Sequence, residues 1–176
     1  GIVLRNLGKP SEAVSHYQTA ISIKPKYPTA HNNLANALRD LGKLDEAKKT
    51  YQKALALDPG RPNTYLNLGG VFYDLGQYED AKKNFRLALA QDPTSPEAMD
   101  QLGNTYVQLK QFQEALQLFA STETAHSRSR TLECLFTLGE YDRFYETLNQ
   151  SLAIYGTNIR AAAISAFASQ QLGRPD

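Results

Sequence analysis

The sequence predicts an all-α protein built as a solenoid of antiparallel helix pairs, and three observations carry that prediction. A leucine returns at Leu7, Leu41, Leu75, Leu109, Leu138 and Leu172, at spacings of 34, 34, 34, 29 and 34 residues, and in five of the six places Gly follows it. Between these marks apolar residues recur at three- and four-residue steps, the period of a helix with one buried stripe. Prolines stand at matched places, with Pro28, Pro62 and Pro96 ahead of one stripe and Pro25, Pro59 and Pro93 behind the other. A repeat of this period packs unit on neighbouring unit instead of gathering around one central core.

Taken in order, residues 1–27 read as the rear three-quarters of one repeat, with its first helix cut short. Residues 28–61 form a full repeat. Its first stripe runs Ala30, Leu34, Ala35, Leu38 and Leu41 and ends at Gly42; its second runs Leu44, Ala47, Tyr51, Ala54 and Leu55 and ends at Asp58-Pro59. Gly between the stripes turns the chain back, and Pro28 at the start of the first helix loses no hydrogen bond there. Residues 62–95 repeat this pattern column by column. Residues 96–124 open well, with Ser95 as the N-cap before Pro96, but Lys110 replaces the turn Gly and Thr122 stands in an Ala column. The stretch 121–130 is the least regular and holds the five-residue deletion, so the stack is expected to bend there or to close with a cap. Residues 125–156 form a degenerate repeat with Phe144 in an Ala column, and 157–176 hold one unpaired final helix.

Small and large residues alternate in the columns. Ala13, Ala47, Ala81 and Ala115 recur in register, and so do Tyr17, Tyr51, Phe85 and Phe119. A methyl group lets two helices approach and the aromatic ring fills the space beside it, so these columns are read as packing.

Units of 34 residues with Leu-Gly, Ala, Tyr/Phe, Ala and Pro columns resemble tetratricopeptide repeats. That resemblance covers nearly the whole chain and implies a single right-handed α-solenoid over 1–176, acting as a non-catalytic scaffold for protein–protein interaction.

Composition narrows the function further. The net charge of +1 gives no bulk attraction to nucleic acid or to a membrane surface, so neither is expected as a partner. Cys134 is the only cysteine, which excludes an internal disulfide and fits a reducing, cytoplasmic setting. No apolar run reaches the roughly 18 residues of a spanning helix. His16, His31 and His126 lie in different repeats without ligand spacing, so no metal or other cofactor is expected. The lysines of the second helices, Lys48, Lys49, Lys53, Lys82 and Lys83, read as a solvated outer face. No nucleophile, base and orienting group can be assigned together, and the chain is not expected to be an enzyme.

The exposed face of the first helices carries the candidate binding residues. It holds Asn32, Asn33 and Asn36 in one repeat, Asn63, Leu66, Asn67, Tyr73 and Asp74 in the next, and Asp100, Gln101 and Asn104 in the third. One column runs Asn33, Asn67, Gln101 and, past the deletion, Arg130; a second runs Asn36, Gly70 and Asn104. A carboxamide both donates and accepts, so such a ladder can hold the backbone of an extended peptide without reading its side chains. The segment HNNLANALRDLGKLDEA is similar to the repeats of the O-linked N-acetylglucosamine transferases, whose asparagine-lined groove holds substrate peptides. Co-chaperones that clamp a C-terminal carboxylate need cations where this chain has Asn32, Glu97 and Gln101, which argues against that ligand.

The expected partner is therefore a protein or extended peptide. The alternative is a targeting, substrate-presenting or dimerisation arm of a larger enzyme. The apolar last helix, with Ile159, Ile164 and Phe167, is expected to be covered by a second copy or by another domain, because a terminal repeat normally turns a polar face outward.

Overall fold

The computed structural model describes residues 1–122 and 124–155, with backbone alone at Tyr155. Among these residues every regular element is an α-helix. The chain divides into two compact units, Gly1–Ala98 and Met99 onward.

The first unit is a stack of helix pairs. A short α1 (Ile2–Asn6) precedes α2 (Pro10–Ile23); α3 (Pro28–Asp40) pairs with α4 (Leu44–Leu57), and α5 (Pro62–Asp74) with α6 (Tyr78–Gln91). Each second helix also touches the next first helix, α2 on α3 and α4 on α5, while α3 touches α5 directly. That neighbour-to-neighbour pattern is what a repeat array requires.

The turns follow the Leu-Gly marks. Gly42 (φ 73) and Gly76 (φ 71) take the left-handed conformation that costs glycine nothing. Gly42 N–H then donates to the Arg39 carbonyl and Lys43 N–H to the Leu38 carbonyl, both at 2.9 Å. This paired closure satisfies two carbonyls that a helix end would leave bare. Leu41 does not join the buried stripe as the periodicity predicts. Leu41 sits past the last helical residue and is exposed, because the chain has already turned away from the helix axis there.

The core alternates as the columns require. Ala13, Ala47, Ala81 and Ala115 are fully buried, as are Tyr51 and Phe85. Phe85 lies against Gly69, where an added Cβ would stand 2.6 Å from its ring, and Phe119 lies against Gly103 at the same distance.

The second unit comprises most of α7 (Pro96–Gln108), then α8 (Phe112–Ser121), α9 (Ala125–Leu138) and α10 (Tyr141–Tyr155). Lys110 takes the turn that Gly serves elsewhere, at φ 59, and Gln111 N–H still reaches the Tyr106 carbonyl at 2.8 Å. Ser95 Oγ accepts from Ala98 N–H at 3.3 Å, the expected N-cap of α7. The five-residue deletion falls mostly on one helix: α8 has 10 residues where α4 and α6 have 14. The stretch 121–130 is more regular than its sequence implies. From Ala125 it is helical, started by a reciprocal cap in which Thr124 Oγ1 accepts from Ser127 N–H at 3.0 Å and Ser127 Oγ accepts from Thr124 N–H at 3.0 Å.

Phe144 in its Ala column is answered by compensating changes. Leu132 replaces the glycine of the notch and Leu148 the aromatic that fills it, and all three belong to one apolar cluster with Ala115, Phe119 and Leu135. Cys134 is buried and free. The expected final helix and its residues Ile159, Ile164 and Phe167 lie outside the described residues.

Candidate functional site

The first-helix faces carry the predicted residues, and their hydrogen bonds divide them into two groups. In the first unit Asn36 is committed inward, since its Oδ1 accepts the hydroxyl of buried Tyr51. Burial and the loss of hydration push the Tyr51 phenol well above its ordinary range, so it stays a neutral donor. Asn32 Oδ1 accepts from Thr64 Oγ1 at 3.1 Å, a bond from α5 to α3. In the second unit Asn104 is committed twice: its Oδ1 accepts Arg130 Nε at 2.8 Å and its Nδ2 donates to Asp100 at 3.2 Å. Arg130 is further held by Glu133 at 2.6 Å.

The other column stays uncommitted. The side chains of Asn67 and Gln101 are half-buried and make no hydrogen bond among the described residues, and Asn33 meets only Asn32 Nδ2, at 3.5 Å. Asn63 is exposed and equally unengaged. Leu66 is buried, contrary to its expected exposure. It stands at the border of the apolar stripe, and covering its side chain removes apolar area from water. Tyr73 is half-buried, edge-on to Tyr78 with ring centroids 5.3 Å apart.

Charge pairs frame the same face. Arg5 Nε donates to Asp40 at 2.5 Å, and one repeat later Arg39 holds Asp74, with Nη2 at 2.8 Å. Gly70 makes room for Arg39, whose guanidinium lies 3.0 Å from where a Cβ would stand. Sequence reasoning singled out Asp74 but missed Arg5 and Arg39. The available signal was their own 34-residue spacing, each followed 35 positions on by an Asp.

His31 is buried with Nε2 2.9 Å from the Pro25 carbonyl, a structural contact, and His126 Nε2 lies 3.5 Å from Asp100. No group of three or more metal-ligating side chains occurs among the described residues. No described helix is long and apolar enough to cross a membrane. On the second helices Lys49, Lys53 and Lys83 are exposed as expected, whereas Lys48 and Lys82 are largely covered, the Lys48 ammonium lying 5.7 Å from the Phe72 ring centroid.

Comparison with known proteins bears on this repeat geometry. Family models described as tetratricopeptide repeat match residues 26–94 and 60–126, and a TPR repeat model matches residues 1–39. A search of curated proteins gave no significant match. Among solved structures, a tetratricopeptide repeat protein from Parabacteroides merdae superposes with a TM-score of 0.85 at 20% identity, over 97% of this chain and 70% of that one. MamA from Desulfovibrio magneticus gives 0.81 at 18% identity, over 88% and 90%. YrrB, described as a TPR protein with an unusual peptide-binding site, gives 0.73 at 23% identity, over 90% and 85%. At these identities the structures speak for the fold alone. The family models together span more than half of the sequence, and the chain belongs to the tetratricopeptide repeat family.

Proposed function

We propose that this chain is a protein-interaction scaffold that binds an extended peptide segment along its first-helix faces, through Asn33 and Asn67. One observation carries the reading. These carboxamides recur at one position of successive repeats and have no firm partner of their own, while Asn36 beside them is spent internally. An idle carboxamide offers a peptide one donor and one acceptor, which matches a backbone unit. Asn63 stands one helical turn before Asn67, and the Arg39–Asp74 pair adds both charges on the same two helices. The similarity of 31–47 to the transferase repeats and the peptide-binding site named for YrrB support the same mode.

The test selects peptides from a random display library on the intact chain. It then measures their affinity for an Asn33→Ala/Asn67→Ala variant of equal helicity. Loss of two backbone-directed bonds or more should weaken binding by about tenfold or more. Equal affinity of both proteins for every selected peptide would move the site elsewhere.

A further inference from the structure

The repeat that follows the shortened helix departs from its neighbours at several columns that meet in space. A cavity of about 200 Å³ opens between α8, α9 and α10, lined by Phe119, Arg128, Thr131, Leu135, Arg143 and Thr147, with Ala120 at its edge. The α8 residues on its wall come from the last turn of a helix that stops four residues early.

At three of these columns the lining differs from that of the earlier repeats. Where earlier repeats carry His31, Tyr65 and Met99, this one carries Arg128; where they carry Leu34, Leu68 and Leu102, it carries Thr131. Where they carry the acids Glu46, Asp80 and Glu114, it carries Arg143. The last turn that α4 and α6 carry is missing from α8 beside this space. The two arginines enter from two different helices, which a solvated face with one charged stripe would not produce.

We infer that this cavity is an oxyanion site for a phosphoryl or carboxylate group. The Arg128 side chain makes no hydrogen bond or ion pair among the described residues, and its planar fork suits a two-oxygen ligand. The Thr147 hydroxyl is likewise free to donate, whereas Thr131 Oγ1 is spent on the Ser127 carbonyl at 2.9 Å. Arg143 stands exposed at the rim and is bound to Glu140, which also accepts from Gln113 Nε2 at 3.1 Å. Glu140 therefore neutralises one of the two cations and the site keeps a net positive charge. Phe119 and Leu135 form an apolar wall, which favours an oxyanion borne on an organic stem over a bare ion. This site is separate from the carboxamide column and does not depend on it.

The experiment follows the arginine Nε–Hε signals of the whole chain by NMR during titration with inorganic phosphate and, separately, with N-acetyl-O-phosphoserine amide. Saturable shifts at Arg128 and Arg143, with Arg5 and Arg39 unmoved, support the site. Arg128→Gln should weaken binding about tenfold or more, since one charge-assisted fork is lost, while Arg86→Gln on α6 should leave it unchanged. Tighter binding of the phosphoserine probe assigns the oxyanion to a side chain; equal binding assigns it to free phosphate. If Arg128→Gln fails to fold, Arg128→Lys keeps the charge without the fork and should weaken binding by a smaller factor. Absence of a saturable shift, or equal losses in Arg128→Gln and Arg86→Gln, overturns the assignment.

Discussion

Phe85 rests directly on the bare Cα of Gly69, with 2.6 Å between its Cε1 and the position a Cβ would take. The neighbouring Gly70 faces the end of Arg39 instead, at 3.0 Å. Adjacent glycines in one helix therefore tolerate change differently. Phe85 is fully buried and cannot step aside, so Gly69→Leu should cost about 1–3 kcal/mol. Gly70→Ala displaces only a flexible, half-exposed guanidinium and gains helix propensity, so it should be neutral or stabilising by up to about 1 kcal/mol. The terminal repeat points to a rescue, because there Leu132 and Leu148 occupy the two columns together. Chemical denaturation of Gly69→Leu, Phe85→Leu and the double variant should show the pair costing less than the sum of its parts, by about 0.5 kcal/mol or more. Additive losses would mean that the two columns do not exchange volume.

Lys110 performs with a side chain what Gly8, Gly42, Gly76 and Gly139 do without one. The left-handed conformation costs a residue with a Cβ about 1–2 kcal/mol, and glycine returns part of that gain through its freer unfolded chain. Lys110→Gly should therefore stabilise the fold by about 0.5–1 kcal/mol, read as a higher urea midpoint at unchanged slope. A lower midpoint would show that the lysine side chain makes compensating contacts.

These cases show what the sequence carried and where it stopped. The Leu-Gly marks, the prolines and the alternation of Ala with Tyr or Phe report local geometry and packing volume, which are properties of single positions. Helix bounds, the Ser95 cap and the aromatic core were legible for that reason. The deletion was equally visible, but its placement on the last turn of α8 was not, because length can leave either a helix or its connection. The candidate site was legible only as a face. Helical period places Asn36 and Asn67 on similar exposed arcs, yet the Tyr51 hydroxyl that occupies Asn36 comes from another helix and leaves no mark in the local pattern. Arg39 with Asp74 belongs to the same class of contact, between residues 35 apart.

Cys134 makes stability depend on alkaline pH. Burial pushes its thiol from 9.0 up to about 11, with Arg130 pulling down and Glu133 pushing up by lesser amounts. The folded pKa is raised for a group that is charged when deprotonated, so the unfolded chain loses its proton first. Stability is fully present below the unfolded value and falls as pH rises through the window from about 9 to 11, by at most about 1.4 kcal/mol per pH unit. Tyr51 shifts in the same direction at higher pH, so a reference is needed. Urea midpoints at about pH 8 and about pH 10.5 should converge more in Cys134→Ala than in the unmodified chain. An identical fall in both would assign the alkaline loss to the tyrosines alone.

Tyr51 and Asn36 test whether a first-helix carboxamide is a ligand group or a structural one. Tyr51→Phe removes the donor and leaves Asn36 half-exposed, where water replaces the lost bond, so the cost should be about 0.5–1.5 kcal/mol. Asn36→Ala instead leaves a fully buried phenol without its acceptor and should cost more, about 1–3 kcal/mol. Asn67→Ala breaks no internal bond and should stay within about 0.5 kcal/mol of the unmodified protein. The ordering Asn36→Ala, then Tyr51→Phe, then Asn67→Ala, measured by thermal and urea unfolding, separates the two columns independently of any ligand. An Asn67→Ala loss equal to that of Asn36→Ala would mean that Asn67 is held in the fold after all, and the peptide ladder would lose that rung.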